Sequence, residues 1–476
     1  MSIKLTKDFP MDFYWGGAVT ATQTEGNWDV DGKGVCPPDL YYYEPGKTQN
    51  DTMTTAEIQA ALDDQEHYYP RRHAIDFYHT YKEDIALLKE MGINSFRTSI
   101  NWARIFPNGD DLEPNPKGIE FYDNVINELL KNDIEPIITL SHFEMPINLS
   151  LKYNGWYSRE VIQFFLKYVE SLFIHFKGRV KYWIPFDELN LIHREGFSQF
   201  GMPADIIENS LENRLRASHN RLLASALATD LAHRIDSNNK IASMVLSNYA
   251  YPLTSDPKDV LAAQQNDQFE NYYLDVMIRG KYPNRMLRFI DEHKFDIGYE
   301  EEDTAVFEKG KADFIGLSYY GNRTVDKESI DLWPNPSVDN PNIKKNDWGW
   351  LEDASGLRYS LNKIYDQYQV PIFLMELGTG THDELVNGQV HDVQRIEFFQ
   401  ENLKQLKETI YDGVELIGCL VWGPIDIVSN SSAEMSKRYG FIYVDIDDYG
   451  KGSGKRYKKD SFAWFRNVIA ENGKNI

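Results

Sequence analysis

Pro371-Ile372-Phe373-Leu374-Met375-Glu376-Leu377 is an apolar run that ends at a carboxylate. A strand with one wet face would alternate, so a near-continuous apolar run predicts a strand covered on both faces. Seven other segments read as strands: 13–20, 95–100, 135–141, 181–188, 240–247, 313–320 and 415–422. Polar connections and amphipathic segments separate them. Ile75, Tyr78, Ile85, Leu88 and Met91 stand at helical spacings, and Gly92 follows as a stop. Phe164, Tyr168, Leu172 and Phe176 make a similar face ahead of the fourth run. Eight such runs alternating with helices predict an α/β fold, a (β/α)8 TIM barrel with elaborated βα loops, and residues 1–476 as its single domain. An open doubly wound sheet is the alternative, but no Gly-rich phosphate loop follows the first run.

Composition narrows the partners. The net charge of −23 argues against nucleic acid or an anionic membrane, because the long-range field repels polyanions. A phosphorylated ligand would need a local cluster of cations to overcome that field. Cys36 and Cys419 lie far apart and outside any metal-ligand spacing, as in a reducing compartment. The segment 1–8 has no apolar signal core, and no stretch is long enough to cross a bilayer, so a cytoplasmic location is expected. The basic stretch 451–459 is expected to be a solvated loop.

In a barrel of this kind the active site lies at the C-terminal ends of the strands. The second run carries Arg97, the third ends at Ser141-His142, the fourth at Asp187-Glu188, the sixth at Tyr319-Tyr320 and the seventh at Glu376. Each alone reads more simply as a rim or salt-bridge residue. Together they suit glycoside hydrolysis with retention, which needs two carboxyl groups about 5 Å apart, one attacking the anomeric carbon and one protonating the leaving oxygen. Their proton affinities must be pushed apart. Arg97 would keep Glu376 ionised and Tyr320 would orient it. The chemistry needs no cofactor and no metal.

Several motifs make a wider likeness specific. Phe13-Tyr14-Trp15-Gly16-Gly17-Ala18 with Gln23-Thr24-Glu25-Gly26, Phe96-Arg97-Thr98-Ser99-Ile100 with Arg104-Ile105-Phe106-Pro107, and Ser141-His142-Phe143-Glu144-Met145-Pro146 resemble family-one glycoside hydrolases nearly end to end, the last in the form of their phospho-β-glycosidase branch. The resemblance implies hydrolysis of 6-phospho-β-glucosides, with Glu188 as acid/base, Glu376 as nucleophile and Arg97 and Tyr320 as its partners. Gln23 and His142 would bind sugar hydroxyls. Trp422 would lie under the ring, and Trp350 would flank the leaving group. The stretch Ser429-Asn430-Ser431-Ser432-Ala433-Glu434-Met435-Ser436-Lys437-Arg438-Tyr439 is similar to the branch's phosphate loop. Ser429, Lys437 and Tyr439 would hold the phosphate by charge-assisted bonds, with Ser431 or Ser432 as further donors. Asn430 stands where phospho-β-galactosidases tend to have Trp, so 6-phospho-β-galactosidase activity is the alternative and glucose is favoured. A small phosphorylated β-glucoside is the expected partner and a homodimer the expected assembly.

Three positions depart from the family pattern. Asp187 replaces the Asn that binds the 2-hydroxyl, Leu377 follows Glu376 in place of Asn, and Ser318 replaces the Asn before Tyr319-Tyr320. A carboxylate at 187 accepts from a hydroxyl but cannot donate, and by repulsion it raises the proton affinity of a neighbouring acid. Two accounts follow: an active but divergent enzyme, or a weakened barrel that binds phospho-sugars. Retention of both acids favours catalysis. Transglycosylation would use the same residues.

Overall fold

The computed structural model describes residues 7–47, 52–192 and 196–476. Eight strands form a closed barrel: β1 (Tyr14–Ala18), β2 (Ser95–Ser99), β3 (Glu135–Thr139), β4 (Tyr182–Ile184), β5 (Lys240–Leu246), β6 (Phe314–Tyr319), β7 (Ile372–Leu377) and β8 (Leu416–Trp422). Each falls inside one of the expected runs and pairs in parallel with the next in sequence, and β8 closes on β1, with Tyr14 opposite Gly418 and Ala18 opposite Trp422. The open-sheet alternative is thereby overturned.

The connecting helices include α1 (Phe77–Met91), α2 (Pro116–Lys131), α3 (Val161–His175), α4 (Leu211–Ile235), α5 (Ala354–Tyr368), α6 (Val393–Asp412) and α7 (Asp460–Ala470). Gly92 ends α1 at φ 91°, a left-handed cap that a side chain would strain. Ile75 is buried just ahead of α1 rather than within it. On α3 the buried face runs through Phe165, Tyr168, Leu172 and Phe176, while Phe164 is half-buried, one residue off the expected start.

Aromatic rings plug the lower barrel. Tyr14 stacks on Phe373 at 5.7 Å between centroids, and Tyr182 meets Tyr14 at 5.6 Å and Phe314 at 5.9 Å. Gly418 makes room for them: a Cβ there would lie 2.6 Å from the Tyr14 Cβ and 2.7 Å from the Phe373 ring. With the lower barrel filled, the barrel opens to a ligand at its upper, C-terminal end.

Two irregularities shape that end. Between Leu374 and Glu376 β7 advances two residues while β6 advances one, from Leu317 to Ser318. This bulge re-aims Glu376 at the strand's end. The fourth run leaves the strand sooner than expected, at Ile184, because Pro185 brings no N–H to the ladder. Beyond it Asp187 N donates to Ser141 O at 3.0 Å and Leu189 N to Met244 O at 3.0 Å, so the irregular segment stays tied to both neighbouring strand ends.

The basic stretch 451–459 corrects its expectation. Lys451 and Lys455 are exposed, but Arg456 pairs with buried Asp84 at 2.8 Å, and buried Lys459 bridges Asp383 and Asp426. These carboxylates lie inside the fold and draw the cations in after them. Among the described residues no helix is long and apolar enough to cross a membrane.

Candidate active site

Arg97 is the centre of the upper barrel. It lies fully buried on β2, and its guanidinium spends three separate N–H groups on three partners. Nε donates to Thr139 Oγ1 at 2.8 Å, Nη1 to Glu376 Oε1 at 2.6 Å and Nη2 to Asp187 Oδ1 at 2.5 Å. Tyr320 OH donates to the other Glu376 oxygen, Oε2, at 2.7 Å. Glu376 is therefore fixed at both oxygens by residues from β2 and from the end of β6.

Burial pushes Glu376 well above the usual carboxylate range, and the charges of Asp187 and Glu188 push the same way. Arg97 and the Tyr320 bond oppose them. The like-charge effect expected from Asp187 is present in this balance. Glu188 lies beside this group in the same cavity wall, with its backbone at φ 33°. That left-handed conformation costs on the order of 1 kcal/mol or more for a residue with a side chain, and such strain often marks functional positions.

His142 Nε2 approaches Asp187 Oδ2 to 3.2 Å, while its buried Nδ1 has no hydrogen-bond partner among the described residues. Burial lowers its pKa to about 4, so the ring is neutral near pH 7. The contact with a carboxylate favours the proton on Nε2 and leaves the Nδ1 lone pair for a ligand hydroxyl. His142, Asp187 and Glu376 each bring a metal-type donor atom within 4.8 Å of the others. The Arg97 guanidinium already pairs with both carboxylates of that group, and we assign it no metal. Gln23 Nε2 donates to Val428 O at 2.6 Å, which leaves one amide hydrogen for a ligand. Trp422 lies stacked against His142, 6.1 Å between centroids.

These side chains share one cavity of about 670 Å³. Gln23, His142, Asp187, Glu188, Tyr320, Trp350, Glu376 and Trp422 line it, as do Ser431, Ser432, Lys437 and Tyr439 from the loop beyond β8. Arg97 and Ser429 stand behind the wall. Ser429 is fully buried, and its hydroxyl accepts from Ser432 Oγ at 2.9 Å and from Tyr439 OH at 3.3 Å. Of the expected phosphate donors, Ser431, Ser432, Lys437 and Tyr439 form the cavity surface, and Ser429 lies directly behind the hydroxyls of Ser432 and Tyr439. The loop is pinned from outside, where Asp448 Oδ1 accepts the N–H groups of Met435 and Ser436 at 2.6 and 2.7 Å.

Several wall residues were not singled out from the sequence. Trp348 holds its ring 5.3 Å from Lys437 Nζ. Its place in Trp348-Gly349-Trp350, next to a residue already chosen, was the available signal. Tyr43, Glu44 and Lys47 reach the cavity from the connection after β1, which carries no local mark of a site. Glu144 lies outside the cavity wall but orders it, binding Ser99 Oγ and His142 N. The three departures differ in effect. Asp187 enters the charge cluster, Leu377 packs in the core, and Ser318, opposite Glu376 in register, has a buried hydroxyl with no partner among the described residues.

A closed (β/α)8 barrel whose upper cavity gathers two acids, a neutral histidine and aromatic rings, with an arginine paired to one acid from behind the wall, is the arrangement of a barrel glycosidase. The chain matches the model of glycosyl hydrolase family 1 over residues 5–474. It is 42% identical to the aryl-phospho-beta-D-glucosidase BglH of Bacillus subtilis (strain 168) over 476 residues, 99% of each chain. It is 44% identical to a 6-phospho-beta-glucosidase of Clostridium longisporum over 478 residues, 98% of each. The solved family 1 b-glucosidase from Thermotoga maritima shares the fold with a TM-score of 0.84 at 31% identity, over 99% of this chain and 100% of that one. The chain belongs to glycosyl hydrolase family 1.

Proposed function

We propose that this enzyme hydrolyses 6-phospho-β-glucosides with retention through a covalent glycosyl-enzyme. Glu376 attacks the anomeric carbon, and Glu188 protonates the departing oxygen and then activates water. Arg97 and Tyr320 hold Glu376 in place and favour its ionised form. His142 and Gln23 bind sugar hydroxyls, Trp422 lies against the ring and Trp350 borders the leaving group. Ser431, Ser432, Lys437 and Tyr439 bind the 6-phosphate, with Ser429 and its hydroxyl bonds behind them.

One observation carries this reading. A single cavity holds Glu376 and Tyr320, with Arg97 paired to Glu376 from behind the wall, together with an ammonium and several hydroxyls, which suit a phosphate dianion. Contacts connect the two parts: Trp350 lies 5.1 Å from the Tyr320 ring and 4.0 Å from Lys437 Nζ. The names of the two phospho-glucosidase relatives, each matched over almost its full length, support the same substrate class. Asn430 in the wall of the phosphate loop favours the gluco over the galacto sugar. A phosphorylated sugar does not diffuse across a bilayer, so the reading includes a cytoplasmic enzyme. It also includes a homodimer, for which sedimentation velocity is the test.

The direct test is the initial rate on p-nitrophenyl β-glucoside with and without the 6-phosphate, from pH 4.5 to 8. Turnover of the phosphorylated compound alone supports the proposal. Binding of that compound without turnover of either would instead make the barrel a phospho-sugar binder.

A further inference from the structure

Asp187 and Glu376 hold two ends of one guanidinium. Arg97 reaches Asp187 at 2.5 Å and Glu376 at 2.6 Å, and the three side chains are 0–4% exposed, so water screens the pairs weakly. A planar guanidinium has a fixed set of N–H directions, and what one carboxylate takes the other does not have. We propose that Asp187 is a positioning residue that sets the acidity of Glu376 by sharing Arg97 with it, so that Glu376 gives up its proton at a higher pH than it would beside an amide at position 187. In its catalytic consequence this rests on Glu376 being the nucleophile.

The groups facing Glu376 are Arg97 from β2, His142 beyond β3, Asp187 and Glu188 beyond β4, and Tyr320 beyond β6. Arg97 and Tyr320 favour the carboxylate, and the two other acids oppose it. His142, held neutral by burial, adds no positive charge to offset them near neutral pH. Arg221 donates to the Asp187 backbone oxygen at 3.3 Å and adds a favourable charge nearby, while the Asp187 carboxylate itself pairs with Arg97. Removing the charge at 187 while keeping the shape would return a full guanidinium to Glu376 and remove a repulsion. Both changes act in one direction.

The test compares wild type with Asp187→Asn and Asp187→Glu. Two readouts are taken: the acid limb of kcat/KM on p-nitrophenyl 6-phospho-β-glucoside, and the Glu376 titration followed by the ¹³C shift of labelled glutamate carboxylates, assigned with Glu376→Gln. In Asp187→Asn both should move down by about one pH unit or more, while Asp187→Glu, which restores the charge, should return them towards wild type. A Glu376 titration unchanged in Asp187→Asn would overturn the inference, whatever the variant does to the rate. A titration that moves in a protein that never turns over would uphold the inference and sink the proposed function.

Discussion

Lys437 Nζ lies 4.0 Å from the centre of the Trp350 ring, with Trp348 at 5.3 Å and Tyr439 at 5.9 Å. The ammonium is therefore buried among aromatic faces that stabilise it before any anion arrives. In a chain of net charge −23 this local arrangement is what lets an anionic group dwell in the cavity.

Lys437→Ala should raise KM for the phosphorylated substrate by about 10- to 100-fold, the worth of a hydrogen bond to a charged group. KM for the unphosphorylated substrate should barely change. Parallel kinetics on the two p-nitrophenyl compounds make the comparison, and equal effects on both would remove the phosphate role.

Glu376→Gln should lower kcat by about 10⁴-fold or more, as loss of a nucleophile does. Its far-UV circular dichroism and melting temperature should stay near wild type, because Arg97 keeps Asp187 as a partner. Comparable rates in variant and wild type would sink the nucleophile assignment.

Arg97→Met should cost about 3–5 kcal/mol of stability at pH 7, since it leaves Asp187 and Glu376 buried and unpaired. The deficit should shrink at pH 5, where Glu376, its proton affinity already raised by burial, is protonated more fully. Urea unfolding at the two pH values measures it, and a double-mutant cycle with Asp187→Asn should show strong coupling.

His142 and Glu144 should tilt stability in opposite directions. The unfolded chain protonates histidine near 6.5, and burial holds native His142 to about 4, so its contribution is lost as pH falls from about 6.5 towards 4. Burial pushes Glu144 up to about 8, so its contribution is present below the unfolded value near 4.3 and is lost as pH rises through about 8. Each is worth on the order of 3–5 kcal/mol. Urea midpoints at pH 4.5, 6.5 and 8.5 should show His142→Gln flattening the acid side and Glu144→Gln the alkaline side.

The barrel was legible because its signal is local. A strand such as 371–377 is covered on both faces, so its apolar character appears in the residues themselves, and the eight runs needed no knowledge of their neighbours. Strand ends are local as well, and Glu376, Asp187, Glu188 and His142 could be chosen from where the apolar runs stop. The bulge at Met375 could not be seen, because it is a mismatch between two strands and neither one encodes it alone. The burial of Lys459 was hidden for the same reason: a basic run resembles a solvated loop until the buried carboxylates it serves are in place.

By itself the sequence determined the strands, their alternation with helices, the family and the side chains offered at the upper rim. Tertiary structure decided who holds whom. Arg97 meets Asp187 across 90 residues and Glu376 across 279, and only closure of the barrel makes one guanidinium the shared partner of both. It likewise placed Ser429 behind the cavity wall and Lys437 between aromatic rings. The physical reason is range: apolar periodicity is written along the chain, whereas charge sharing depends on distances and burial that exist only once distant segments have packed together.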